Sequence, residues 1–148
     1  MHRSYTPVAR FPHAAVALGD SVYLWNAATG AITPLMQTAG SGCHVTSIAW
    51  APRGQSQMAV GTSDHKVQIW DTQKCRMVRS MDGHCGRVGV LAWNGDMLSS
   101  GSRDATIIHR DTRSPSHILA RMQGHTQEVC GLKWAPNGTQ LASGGNDN

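Results

Sequence analysis

His84 and His125 are each followed about twenty residues later by an aspartate, Asp104 and Asp147, and Ser99, Ser100 and Ser143 lie nearby. These are the residue types of a Ser-His-Asp set, in which an imidazole takes the hydroxyl proton and a carboxylate holds the imidazole. Metal chemistry is the next candidate, because Cys43-His44 and His84-Cys85 pair a thiol with an imidazole. Zinc needs four converging ligands, however, and Cys43, Cys75, Cys85 and Cys130 stand 32, 10 and 45 residues apart with no CxxC or HxxxH clamp. That spacing suits neither a metal set nor a disulfide framework; it reads as reduced, mostly buried small hydrophobes in an intracellular protein. No metal or cofactor is expected. The chain has no GxxxxGK[ST], HExxH or GxSxG motif, and SGGNDN at 143–148 does not open a helix after a parallel strand, as a phosphate cradle would. With Glu128 the single glutamate, a paired-carboxylate glycosidase site has no candidates.

The elements that must position these residues show themselves as repeats. GHCGRVGVLAW (83–93) and GHTQEVCGLKW (124–134) align without a gap, and GSGCHVTSIAW (40–50) ends the same way. The closing tryptophans, Trp50, Trp93 and Trp134, are 43 and 41 residues apart. A second match follows each: MAVGTSDHKVQIWD (58–71), MLSSGSRDATIIHRD (97–111) and QLASGGNDN (140–148). Gly61, Gly101 and Gly144 hold one register, with Asp64, Asp104 and Asp147 three residues on, and AAVALGDSVYLW (14–25) is a partial earlier copy. The second unit predicts strands at 45–50, 58–62, 66–70 and 75–80, divided by AP-R-G, SDH and DTQK turns. Strand interiors such as SIAW, VQIW and VLAW are apolar on successive residues, as expected of a sheet covered on both faces.

Composition agrees. The chain has 148 residues, a net charge of +4, 16 glycines and 40% hydrophobic residues, which fits a packed core with many turns and little helix. The cations are scattered, so neither a nucleic-acid arm nor a membrane patch is expected, and no apolar stretch approaches 18 residues. Short strands, Gly-rich turns, a period of about 40–45 residues, and GH and WD dipeptides together resemble the WD-repeat propeller. The expected fold is all-β: a partial WD-repeat β-propeller of about three and a half blades out of a seven-bladed ring. Residues 1–13 form an unmatched leading segment, 14–148 the partial propeller, and its units span approximately 14–38, 39–80, 83–122 and 124–148. In WD repeats a turn His, a hairpin-turn Asp, a strand Ser or Thr and a Trp form a buried hydrogen-bonded tetrad, satisfied internally and closed to substrate. His84, Asp104, His125, Asp147, Asp64 and Trp70 fall at such structural positions, which displaces the catalytic reading; no enzyme is expected. The second unit has Ser41 where the His would stand, and the third has Arg110 at the Trp position.

RVGVLAWN (87–94), LSSGSRD (98–104), HTQEVCGLKWAPNG (125–138) and LASGGNDN (141–148) resemble a narrower group, the Fizzy and Fizzy-related coactivators of the anaphase-promoting complex. VGTSDHKVQIWD (60–71) and DSVYLW (20–25) are similar too, and RDTRSP (110–115) looks closer to Fizzy-related. The resemblance implies a substrate-recognition coactivator that binds KEN-box and destruction-box degrons. Its partners would be subunits of that complex and degron-bearing cell-cycle substrates, with no nucleic acid or membrane, in nucleus and cytoplasm. It implies that Asn146 and Asn148 contact the KEN peptide and that Tyr23 belongs to the same surface. Carboxamides in a rigid turn offer donors and acceptors to such a peptide, although Asn at a tight turn also simply tolerates left-handed backbone. Segment 1–13 lacks the acidic residue that would receive a destruction-box Arg, and the family's amino-terminal docking motif and carboxy-terminal Ile-Arg tail are absent. Seven blades need roughly 290 residues, so the chain reads as about half a ring, stopping in its fourth sheet. A generic WD-repeat interaction scaffold, or an inactive fragment, is the alternative.

Overall fold

A computed structural model describes residues 13–52 and 56–148. All but the last residue of the 1–13 segment, and Arg53 and Gly54 of the AP-R-G turn with Gln55 after them, lie outside those described. The described residues form thirteen strands in four antiparallel sheets, with no helix. β1 (His13–Leu18), β2 (Ser21–Asn26) and β3 (Ile32–Gln37) make the first sheet. β4 (Val45–Trp50), β5 (Gln57–Thr62), β6 (Val67–Asp71) and β7 (Arg76–Met81) make the second, within a residue of the expected strands. β8 (Val88–Asn94), β9 (Met97–Ser102), β10 (Thr106–Asp111) and β11 (Ile118–Gln123) make the third; β12 (Val129–Trp134) and β13 (Leu141–Gly145) pair as the fourth. Each four-stranded sheet is a meander in chain order, so every connection is a short turn.

The sheets stack face to face, which explains the lack of polar alternation. On β5, Met58 and Val60 face the first sheet, joining Val22, Leu24, Leu35 and Met36. Ala59 faces the third, with Val67, Ile69, Met81, Val88, Leu91 and Leu98. Two of the register glycines, Gly61 and Gly101, sit where one sheet approaches the next closely. A Cβ on Gly61 would lie 2.8 Å from the Val88 carbonyl oxygen, and one on Gly101 would lie 2.7 Å from Val129 Cγ1. The closing tryptophans tie successive sheets: Trp93 Nε1 donates to the Ala49 carbonyl at 3.1 Å, and Trp134 Nε1 to Ser99 Oγ at 3.1 Å. The opening strand of each of the last three sheets carries a bulge at one equivalent place, centred on Thr46, Gly89 and Cys130.

Candidate peptide-binding rim

The turn that follows the second strand of a unit has the same construction in the last three units. The amides of Ser63, Arg103 and Asn146 donate to the carbonyls of His44, Arg87 and Glu128 at 2.9, 3.0 and 3.0 Å. An aspartate follows, Asp64, Asp104 or Asp147, and then a residue with left-handed backbone: His65, Ala105 or Asn148, at φ 72°, 66° and 59°. Asn adopts that region more readily than Ala, so Asn148 has a conformational reason to be there.

In the third unit the aspartate anchors a buried staple. His84 Nδ1–H donates to Asp104 Oδ2 at 3.0 Å, and Ser100 Oγ–H donates to His84 Nε2 at 2.9 Å. Burial raises the Asp104 carboxyl, but bonds from Thr106 Oγ1, the Cys85 and Thr106 amides and His84 outweigh it and bring its pKa to about 2. Burial lowers His84, against the pull of Asp104, and keeps the imidazole neutral near pH 7. Arg110 takes the Trp place: Nε donates to Ser100 Oγ at 3.3 Å and Nη1 to the Asp82 carbonyl at 2.6 Å. It is 0% exposed, its Nη2 has no partner, and burial pushes its pKa down to about 10. Ser100, His84 and Asp104 thus have the spacing of a triad, but Ser100 is fully buried and offers no hydroxyl to a substrate.

The fourth unit repeats the chain of bonds. His125 Nδ1 is 3.0 Å from Asp147, His125 Nε2 is 2.9 Å from Ser143 Oγ, and the Thr126 amide donates to Asp147 Oδ2 at 2.8 Å. The second unit lacks the staple. Ser41 is exposed, Val60 replaces the strand serine, and the Trp70 indole donates to Gln68 Oε1 at 2.9 Å instead of joining Asp64. Asp64 accepts from Thr62 Oγ1 and the Cys43 thiol. The Val60 replacement is visible in the aligned repeats, and reading it there would have shown that this unit exchanges polar bonds for apolar packing with Trp70.

The expectation of mostly buried cysteines is corrected: Cys75, Cys85 and Cys130 are exposed and Cys43 is intermediate. They occupy turns and a bulge, whose backbone must reach the surface. Among the described residues no group of three or more His, Cys, Asp or Glu could hold a metal ion.

Asn146 lines a cleft of about 480 Å³ with Arg87, Arg103, Gln127 and Glu128. Arg87 Nε and Nη2 donate to the two Glu128 carboxylate oxygens at 2.7 and 2.9 Å, tying the third sheet to the fourth. The Cys130 thiol lies 3.2 Å from Asn146 Oδ1. Asn146 and Asn148 therefore share one turn, whereas Tyr23 is placed apart. Strand alternation turns Val22 and Leu24 into the core and Tyr23 outward, into an apolar cleft with Val16, Leu18, Trp25 and Ile32.

Stacked four-stranded meanders, hairpin-turn aspartates and the His-Asp-Ser staples define a protein of the WD-repeat propeller class. Residues 20–96 match the family described as the anaphase-promoting complex subunit 4 WD40 domain, and 116–148 match the WD domain, G-beta repeat. The chain belongs to the Fizzy and Fizzy-related group of WD-repeat proteins. It is 51% identical over 134 residues to the B-type cell cycle switch protein ccs52A of Medicago truncatula, covering 90% of this chain and 28% of that protein. It is 52% identical to Protein FIZZY-RELATED 2 of Arabidopsis thaliana, and 49% to the anaphase-promoting complex subunit cdc20 of Dictyostelium discoideum, covering 90% of this chain and 27% of each relative. A chain in the crystal structure of a mitotic checkpoint complex superposes with a TM-score of 0.87 at 46% identity, over 90% of this chain and 40% of that one. This chain spans little more than a quarter of the length of these curated relatives.

Proposed function

We propose that this chain is part of the propeller of an anaphase-promoting complex coactivator and holds KEN-box degrons of cell-cycle substrates at the turn bearing Asn146 and Asn148. The role is recognition rather than catalysis. The observation that carries the reading is Asn146 in an open cleft, beside a turn held rigid by His125, Asp147 and Thr126. A rigid turn presents carboxamides at fixed positions, so little ordering entropy opposes binding. A relative named as an anaphase-promoting complex subunit and the checkpoint-complex structure support the assignment of partners.

The test is titration of labelled KEN-box and destruction-box peptides against this segment set in a complete ring. Asn146→Ala and Asn148→Ala should each weaken KEN binding by roughly 1.5–3 kcal/mol, about ten- to a hundredfold, with unchanged melting temperature. Destruction-box binding should survive both changes. Asp147→Ala should lower the melting temperature instead, because it removes the anchor of the turn. Parent-like KEN affinity in both Asn variants would show these to be ordinary turn residues. Equal affinity for a peptide with Lys-Glu-Asn changed to alanines would favour the generic scaffold.

A further inference from the structure

The repeated turn puts one side chain from each of three successive sheets at an equivalent place: Ser63, Arg103 and Asn146. Ser63 and Arg103 line a cleft of about 460 Å³ together with His65, Cys85 and Gly86. Arg103 and Asn146 line the next. Arg103 thus stands at the junction of two clefts, exposed to solvent.

The charges around it are already committed. Asp104 is occupied by His84, Thr106 and the Cys85 amide. Glu128 is held bidentate by Arg87. Asp64, on the neighbouring turn, pairs with Lys66 at 3.6 Å. Among the described residues Arg103 makes no ion pair or side-chain hydrogen bond; its amide donates to the Arg87 carbonyl, and its charge acts through space on Glu128, adding to the effect of Arg87 in lowering that carboxyl. Gly86 packs its backbone directly against this turn: a Cβ there would sit 2.9 Å from the Asp104 amide and 3.2 Å from Arg103 Cβ, so a larger residue would push the turn away. An exposed guanidinium with no hydrogen-bonded carboxylate of its own, with the Ser63 hydroxyl across the cleft, fits a carboxylate, which a planar fork of N–H donors grips bidentately.

We propose that the paired clefts on either side of Arg103 form a subsite for an acidic peptide side chain lying outside the Lys-Glu-Asn tripeptide and within about three residues of it. The inference rests on the degron reading above. It commits to a peptide because nucleic acid needs several uncompensated cations in a row, and here Arg87, the other cation lining both clefts, is already paired with Glu128.

The experiment tethers the 148-residue chain sparsely to a biosensor surface. The analytes are KEN peptides with a glutamate two or three residues before or after the tripeptide, and the same peptides with alanine there. At least one glutamate peptide should bind about three- to tenfold tighter than its alanine twin, and the gap should narrow as salt rises. Arg103→Gln should erase that gap, so that the glutamate peptides lose about three- to tenfold more affinity than their alanine twins; Arg103→Lys should retain part of it. Absence of a gap in the parent, or an equal loss for both twins in Arg103→Gln, overturns the acidic subsite and leaves the degron reading standing. If no KEN peptide binds but a further analyte, the peptide with Lys-Glu-Asn itself changed to alanines, does, the degron reading falls and the subsite with it. Failure of every peptide to bind likewise overturns both.

Discussion

The His84 staple and its degenerate counterpart in the second unit give opposite expectations for similar changes. His84→Ala leaves Asp104 and Ser100 short of partners in a buried place and should cost on the order of 1–3 kcal/mol. Ser41→Ala touches an exposed hydroxyl and should be milder; equal losses in paired chemical-denaturation curves would contradict the assignment of the staples. Arg110 should answer to replacement in two ways. Arg110→Ala removes its bonds to Ser100 and Asp82 and leaves a cavity, so it should destabilise. Arg110→Trp removes a desolvated charge with an unpartnered Nη2, and exchanges of buried charge for packed apolar volume are often neutral or stabilising. A melting temperature for Arg110→Trp at or above the parent's is the expected result. Acid should weaken the fold in two windows. His84 has a folded pKa below the ordinary 6.5, so stability present above pH 6.5 is lost as pH falls through the folded value. Asp104 acts likewise between 3.8 and its folded value of about 2. His109 and His117, also lowered by burial, add to the upper window, so His84→Ala should shrink that window without abolishing it. Repeat alignment fixes equivalent places, which is why the sequence expects His84 near Asp104 and His125 near Asp147; these pairs lie 3.0 Å apart, whereas Asp64 and Trp70, expected in the same kind of tetrad, do not join. The alignment gave no sign that Arg110 would bridge Ser100 and Asp82, since nothing in residue type tells a guanidinium at an indole's place to stay inside.

At the scale of strands and turns, glycine register carries much of the information. Gly101 and Gly144 occupy the same repeat position, yet their surroundings differ. A Cβ on Gly101 would meet Val129 Cγ1 at 2.7 Å and Val90 Cγ1 at 2.8 Å, both on stiff β-branched side chains, whereas one on Gly144 would meet nothing within 4 Å. Gly101→Ala should therefore cost about 1–3 kcal/mol through overpacking between the third and fourth sheets. Gly144→Ala should be neutral or slightly stabilising, since it restricts the unfolded chain without a clash. Thermal melts of the two variants check this, and similar destabilisation would mean that the glycines serve backbone conformation rather than sheet approach. Strands were legible because apolar runs bounded by turn residues are a local property. The clefts were not, because they join turns roughly forty residues apart, and only the stacking order decides that Arg103 lies between Ser63 and Asn146. Tyr23 shows the same limit: the motif around it was recognisable, but strand parity put it on the opposite side of the first sheet from the core.

For the whole molecule, the decisive feature is an asymmetry between the two faces of the first sheet. One face buries Val22 and Leu24 against Met58 and Val60 of the second sheet. The other carries Val16, Leu18, Trp25 and Ile32 at 45%, 63%, 44% and 68% exposure around Tyr23, a contiguous apolar surface of the kind other sheets here cover with a neighbour. Blades in stacked repeats draw stability from neighbour interfaces, and uncovered faces and edges template association. A net charge of +4, spread thinly along the chain, offers little repulsion against it. The 148-residue chain by itself should therefore self-associate, with light scattering well above the 15.9 kDa of one copy. Leu18→Lys with Ile32→Lys should shift the distribution toward the monomer while the far-ultraviolet β signal is retained, because neither side chain is buried in the core. A parent chain that scatters as a clean monomer and melts in one sharp transition would show that the four sheets suffice for one another and that this face tolerates water. Unchanged association in the double-lysine variant would move the contact to another surface, where β11 presents Ile118, Leu119 and Met122 along the outer edge of the third sheet.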